Sequence, residues 1–334
     1  MNGIKTNEKI IIGRTDLAKD EYEKYQGKQL PDFGNEEFEL NNILVTKNIV
    51  GNQAANILQK QPGNYYTIDL SNCNIHDTKT LEDIEHTLAT VLKNMLEELN
   101  LVGKKAFVVG LGNSNVTPDA IGPYVIDNTI VTRHLYLIDA LSEGFSCVSA
   151  MSPGVMGTTG IETYDIIESI IKKIDVDYVI VVDALATNSI KRINKTIQLT
   201  DTGIKPGSGV GNKRKELSLQ TLGIPVIAIG VPTVVDATPI TVDAIQMTLK
   251  YLYLESENKT SYANKLSPTL VYENLNSVEN MSDTHKEAFL GPFGKLTEDQ
   301  QRTLIEEVLT PQGYNLMVTP CLLYTSPSPR DGAT

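Results

Sequence analysis

Between Lys79 and Leu101 the apolar positions Leu81, Ile84, Leu88, Val91, Leu92, Met95 and Leu99 recur at steps of three and four, which predicts an amphipathic helix. The apolar run Ala106–Leu111 follows as a strand. Thr117-Pro118 then has the order of a helix start, with Thr117 as the N-cap and Pro118 as the first helical residue. Thr159-Gly160-Ile161-Glu162 fits a capping box. It stands ahead of a helix with Ile166, Ile167, Ile170, Ile171 and Ile174 on one face. Tyr178–Val182 is a near-continuous apolar run of the kind buried on both faces of a sheet. A further strand, Pro225–Val231, precedes a helix over about Thr241–Leu254. This alternation predicts an α/β fold with a central, mostly parallel sheet flanked by helices. Residues 1–67 are polar and weakly periodic, with only Asn42–Val50 strand-like. Residues 255–283 form a polar excursion, and a last helix spans about Thr297–Val308. The chain contains no internal repeat.

A length of 334 residues accommodates one large or two ordinary domains at roughly 150 residues each. With 41% hydrophobic and 21% charged residues the chain belongs to the globular class. Its net charge of −12 opposes binding to a phosphate backbone, and Lys213-Arg214-Lys215 is too short a basic cluster to reverse this. Cys73, Cys147 and Cys321 are an odd, sparse set without a CxxC pair, as expected in a reducing compartment. There is no apolar signal region at the N-terminus and no apolar run approaching the ~18 residues of a membrane span. A cytoplasmic protein with neither nucleic-acid nor membrane partner is expected.

Asp119 and Asp183 stand just past two of the strand-like runs, where open α/β sheets gather their chemistry. As the second residue of a helix, Asp119 would be held ionised by the helix dipole, although an acid in a first turn is also a common structural feature. Asp183 would leave an apolar strand, where desolvation raises a carboxyl pKa, or it caps a loop. Environments that push two carboxyls apart create one base and one acid, with Asp119 the base and Asp183 the acid. Asp201 and Asp236 are two further candidates that spacing alone does not separate from these.

Pro206–Lys213 is glycine-rich but fails both GxxxxGK[ST] and GxGxxG, so Gly207 and Gly209 are read as letting backbone approach a substrate or a neighbouring strand. The amides of Ser152-Pro153-Gly154-Val155-Met156-Gly157 either line an oxyanion site or turn the chain, and Ser152 lacks the GxSxG context of a nucleophile. His76, His86, His134 and His285 are scattered without HExxH or paired spacing, so no metal is assigned. His86 is expected at a helix surface and Cys147 in the core.

A series of collinear blocks resembles the germination protease of spore-forming bacteria, the endopeptidase that degrades small acid-soluble spore proteins. They are Val109–Asn113, Val116–Pro123, Ser152–Gly157, Thr159–Thr163, Asp183–Ala186, Asp201–Ile204, Pro206–Lys213, Thr221–Ala237 and Asn315–Pro320, spread over about residues 10–320. The resemblance implies an α/β fold of the hydrogenase-maturation-protease type (phosphorylase/hydrolase-like), a homotetramer and no cofactor. The family's proposed catalytic aspartates fall on Asp119 and Asp183, and Asn113, Ser152, Gly154, Gly157, Gly207 and Gly209 are carried over as substrate-loop candidates.

The family is made as a zymogen. Arg14-Thr15-Asp16-Leu17-Ala18-Lys19-Asp20 resembles its propeptide junction, which implies self-cleavage between Asp16 and Leu17. Residues 1–16 are then a propeptide and 17–320 the catalytic domain, in the cytoplasm of the forespore or spore core. Two departures stand out: Asn188 occupies a position where the family commonly has Arg, and the family's helices after the Asn315–Pro320 block are missing. Cys321–Asp331 matches the translation of a sequencing adapter, so residues 321–334 are expected to be non-native, the other reading being an ordinary Ser/Pro tail. Two rival functions are a metal-assisted maturation endopeptidase using the same carboxylates and an inactive, truncated binding module.

Overall fold

A computed structural model describes residues 16–23, 30–207, 214–256, 282–297, 300–301, 303–305 and 317–318. The chain divides into two compact units, Arg14–Val235 with Val318–Thr334, and Met1–Gly13 with Asp236–Met317. The larger unit is built on strands β1 (Phe33–Leu40), β2 (Ile43–Val50), β3 (Gly63–Asp69), β4 (Ala106–Gly110), β5 (Val148–Met151), β6 (Tyr178–Thr187), β7 (Thr196–Thr200) and β8 (Val226–Asp236). They pair in the order β1-β2-β3-β7-β8-β6-β4-β5.

The α/β class holds, but the mostly parallel sheet does not. Only β5, β4, β6 and β8 run parallel, whereas β8, β7, β3, β2 and β1 pair antiparallel. The antiparallel half arises from segments with weak patterning. β1 is largely exposed and polar, and it is joined to β2 by Asn41-Asn42, both at positive φ (51° and 60°). A two-residue turn of that twist closes a hairpin, whereas a parallel pair needs a crossover of a dozen or more residues.

Helices α1 (Ala18–Glu23), α2 (Asn52–Leu58), α3 (Thr78–Glu98), α4 (Ile121–Asp127), α5 (Arg133–Tyr136), α6 (Met156–Thr159) and α7 (Thr163–Ile174) accompany the sheet. On one face Val91 and Met95 of α3 pack with Val45, Tyr66, Ile68, Val108, Ile180, Leu199 and Ile227. On the other, Ile167 of α7 packs with Phe107, Val109, Val179, Val181 and Val226. Ala54, Ala55 and Leu58 of α2 join Ala18, Val50 and Tyr65 in a separate cluster. Neighbouring residues of one strand divide between the first two clusters, as the period of two requires.

Boundaries differ from the sequence expectations in three places that matter. Thr117–Asp119 is a single 3₁₀ turn, with no cap from a side chain, and α4 begins only at Ile121. Thr159 closes α6 instead of capping α7, whose N-cap is Glu162, because Gly160 turns the chain at φ 71°. β6 continues five residues beyond the predicted Val182, to Thr187. Asp77, not a predicted cap, holds the start of α3 by accepting a hydrogen bond from the Thr80 N–H at 3.0 Å. His86 is exposed on α3 and Cys147 is buried, as expected.

In the smaller unit, helices Ala237–Ser256 and Asp283–Leu290 are described, and the Tyr253 and His285 rings meet edge to face at 5.1 Å. Most of the polar excursion, half of the predicted last helix and all of residues 321–334 lie outside the described residues, and within that last helix residues 300, 301 and 303–305 are helical as expected. Among those described, no helix is long and apolar enough to cross a membrane.

Phe107 is 2% exposed at the centre of the α7-side core, so Phe107→Ala is expected to cost about 3–5 kcal/mol. Val102, at 56% exposure, should tolerate alanine within about 0.5 kcal/mol. Urea-unfolding midpoints measure both.

Candidate active site

β4 and β6 are neighbours in the parallel half of the sheet and position the two candidate carboxylates, Asp119 beyond the end of β4 and Asp183 within β6. Beyond Gly110 the Leu111 N–H still donates to the Val182 carbonyl at 2.8 Å, and the chain then turns at Gly112, whose φ is +111°. A Cβ at Gly112 would collide with the Asp119 carbonyl, which instead accepts the Asn113 N–H at 2.9 Å. Gly110 and Gly122 are in direct backbone contact, so a side chain on either would push α4 off the end of β4. Thr233 of β8 donates its hydroxyl to the Pro118 carbonyl at 2.6 Å and pins the turn from the other side.

Asp119 is therefore the last residue of a tethered 3₁₀ turn, not the second residue of an α-helix. The expected dipole stabilisation at an α-helix N-terminus is replaced by burial, which raises its pKa, partly opposed by a hydrogen bond from the Asn113 N–H and by the Arg214 charge.

Asp183 lies inside β6, in register with Gly230 of β8, not beyond the strand end. It is buried (7% exposed) and its Oδ1 accepts the Ala184 N–H at 2.9 Å. Burial holds its pKa well above the ordinary value, and the nearby Asp119 and Asp16 charges push it the same way, against the Ala184 hydrogen bond and Arg214. Both carboxyls are thus shifted upward, chiefly by burial, with the Asp119 charge adding to the shift at Asp183.

Asp119, Asp183 and Asp16 line one cleft of about 310 Å³, together with Lys205, Gly207 and Arg214. Asp16 is tied to the end of β6 twice. Its N–H donates to the Ala186 carbonyl at 2.9 Å, and its carboxylate accepts the Ala186 N–H at 2.8 Å. Leu17 next to it is fully buried.

The remaining candidates separate. Gly207 lines the cleft, while Asn113 contributes its backbone N–H to the Asp119 turn and caps Asn115 with its side chain at 3.0 Å. From the Ser152–Gly157 loop it is Val155 that reaches the cleft, and neither Ser152, which is exposed, nor Gly154 nor Gly157 lines it. Gly209 lies outside the described residues, as does the side chain of Asp236. Asp201 instead binds the Asn64 backbone N–H at 2.8 Å and side-chain amide at 2.7 Å. Two residues without prior assignment touch the Asp16 carbonyl: Lys60 through Nζ at 3.0 Å and Gln198 through Nε2 at 3.4 Å. Gln198 was visible as a lone polar residue between Ile197 and Leu199, whereas nothing in the pattern marked Lys60. Among the described residues no group of three or more His, Cys, Asp or Glu side chains is placed to hold a metal ion.

A sequence model of the germination protease family matches residues 11–324. The chain belongs to the germination protease family. The germination proteases of Bacillus cereus (strain ATCC 10987 / NRS 248) and Bacillus thuringiensis subsp. konkukian (strain 97-27) are 47% and 46% identical to it over 319 residues. In each case the match covers 92% of this chain and 87% of the relative. The germination protease of Bacillus mycoides (strain KBAB4) is 47% identical over 320 residues. The family is one of peptidases, so the chain is a hydrolase of peptide bonds.

Because folding raises the Asp183 pKa, its contribution to stability is complete below the unfolded carboxylate range and is lost as pH rises through the raised folded value. Asp183→Asn removes that titration. Urea unfolding from about pH 4 to about pH 8 should show the parent losing stability relative to the variant as pH rises. A difference that stays constant, or moves the opposite way, would contradict the buried-carboxyl assignment.

Proposed function

We propose that this protein is an endopeptidase zymogen that first cuts its own Asp16–Leu17 bond and then degrades small acid-soluble spore proteins during germination, in the cytoplasm of the spore core. The observation that carries this reading is Asp16, held by its backbone and carboxylate at the end of β6 in the cleft that Asp119 and Asp183 share. Residues 1–16 are the propeptide, 17–320 the catalytic domain, and 321–334 a non-native tail. The sheet with helices on both faces is assigned to the hydrogenase-maturation-protease type. Exposed Tyr124, Ile130, Leu137, Ile138 and Phe145, close together in sequence, support burial in a homotetramer.

The chemistry follows from the two carboxyl environments. Ionised Asp119 takes a proton from water, and the resulting hydroxide adds to the Asp16 carbonyl carbon. Protonated Asp183 then gives its proton to the Leu17 nitrogen as the C–N bond breaks, which yields a carboxyl at Asp16 and a free amine at Leu17. The rival reading is a metal-assisted endopeptidase in which the same carboxylates hold a cation that activates the water, and the absence of any three-ligand group among the described residues weighs against it. Chelator-insensitive cleavage would reject that reading.

Mild acidification of the parent should remove residues 1–16, read by intact mass. Asp119→Asn and Asp183→Asn should each slow this step by about 10²–10⁴-fold, the usual share of a general acid or base. Equal trimming in all three proteins would overturn the aspartate pair. The parent rate should fall both at pH high enough to ionise Asp183 and at pH low enough to protonate Asp119, giving a bell-shaped profile.

A further inference from the structure

Gln198 comes from β7 in the antiparallel half of the sheet and Lys60 from the turn between α2 and β3, yet both converge on the bond that the previous reading assigns to cleavage. Asp183, Gly230 and Gln198 are successive register partners across β6, β8 and β7, and therefore share one face of the sheet. At the strand spacing of a sheet, the Asp183 and Gln198 backbones are about 10 Å apart. The segment starting at Asp16 crosses that interval. On the β6 side Asp16 is bound by Ala186, and on the β7 side its carbonyl oxygen accepts hydrogen bonds from Gln198 Nε2 at 3.4 Å and Lys60 Nζ at 3.0 Å. The same Gln198 amide accepts the Ala18 N–H through Oε1 at 2.8 Å. One side chain thus binds the backbone on both sides of Leu17, as a neighbouring strand would. Gln198 is itself 6% exposed, with Thr67 of β3 as its opposite partner, so its amide is held in a water-poor place. Lys60 follows the left-handed C-cap of α2, Gln59, whose turn brings its backbone N–H onto the Ala55 carbonyl at 3.1 Å.

We propose that Lys60 and Gln198 form the site that holds and polarises the scissile carbonyl, Gln198 by clamping the peptide across the P1–P1′ bond and Lys60 by supplying a cation to the oxyanion. Addition of hydroxide to the Asp16 carbonyl carbon moves the C=O electron pair onto this oxygen. When the tetrahedral adduct collapses, the pair returns and the C–N bond breaks, so the two donors stabilise charge that exists only between ground state and products. A substrate bound in trans, with an acidic residue followed by an apolar residue and alanine, engages the same pair after residues 1–16 have left. The inference rests on the Asp119/Asp183 reading.

The test uses the full chain, plus the self-trimmed enzyme acting on a synthetic peptide copying residues 10–22. Lys60→Met is expected to lower kcat on the peptide by about 10²–10³-fold, as for loss of one oxyanion donor, with KM little changed. Lys60→Arg should recover most of the loss because it keeps the charge. Gln198→Glu preserves shape and the acceptor for the Ala18 position but sets a carboxylate against the carbonyl oxygen, so it should slow self-trimming and peptide cleavage alike. If a Lys60 variant does not trim itself, the chain starting at Leu17 is prepared directly for the peptide assay. Lys60→Met and Gln198→Glu cleaving at the parent rate, while Asp119→Asn and Asp183→Asn are inactive, would overturn this inference and leave the aspartate reading standing. A Lys60→Met defect confined to KM, or not recovered by Arg, would also overturn it. Unchanged cleavage in the aspartate variants would remove the aspartate reading instead.

Discussion

A carboxyl group inside a strand that pairs on both sides is the constraint from which the cleft follows. β6 runs between β4 and β8, and its apolar residues from Tyr178 to Val181 fill the cores on both faces. Continuing the same strand places Asp183 in that interior instead of at a solvated strand end. An isolated ionised carboxylate there would be costly, so burial raises the group's pKa, and its Oδ1 accepts one backbone hydrogen bond. Asp119 and Asp16 add negative charge nearby and raise its proton affinity further, while Arg214 limits the effect. Residues of the same type thus come to differ through burial and through the charges placed beside them.

That arrangement requires backbones to meet without side chains between them. The Asp119 turn reaches its place because Gly110 and Gly122 allow α4 to sit directly on the end of β4, and because Gly112 turns at positive φ against the Asp119 carbonyl. Thr233 closes the arrangement from β8. The antiparallel half then brings β7 to the other side of β8, and with it Gln198, while the turn after α2 presents Lys60. A mixed sheet is therefore what lets one cleft draw on residues from distant parts of the chain.

Several elements could be recognised from pattern because the pattern is physically forced. α3 and α7 each need an apolar stripe at helical spacing to cover a sheet face, and Tyr178–Val182 must be apolar throughout because both of its faces are covered. β1 was not recognisable, since an edge strand with mostly exposed side chains carries no such demand. The ends of β6 and β8 were underestimated for a different reason. Asp183 and Thr187 interrupt the apolar run of β6, and the strand continues there through its pairing with β8 and the Asp16 hydrogen bonds to Ala186. The Thr117 and Thr159 signals failed as caps because the hydrogen bonds of the turn and the glycine at 160 set the chain direction before any α-helix begins.

The amino-acid sequence alone determined the family, the α/β class, the principal helices and the two aspartates worth attention, because each depends on local periodicity or on long collinear motifs. It also marked Asp16–Leu17 as a junction by its resemblance to the family's propeptide site. The tertiary structure decided that the sheet is mixed, that Asp119 and Asp183 share one cleft with Asp16, and that both carboxyls are shifted upward. It alone brought Arg214 to that cleft and Lys60 and Gln198 to the Asp16 carbonyl. The physical reason is that burial and register belong to pairs of residues far apart in the chain. Gln198 lies opposite Gly230, and Gly230 opposite Asp183, only once the strands have paired.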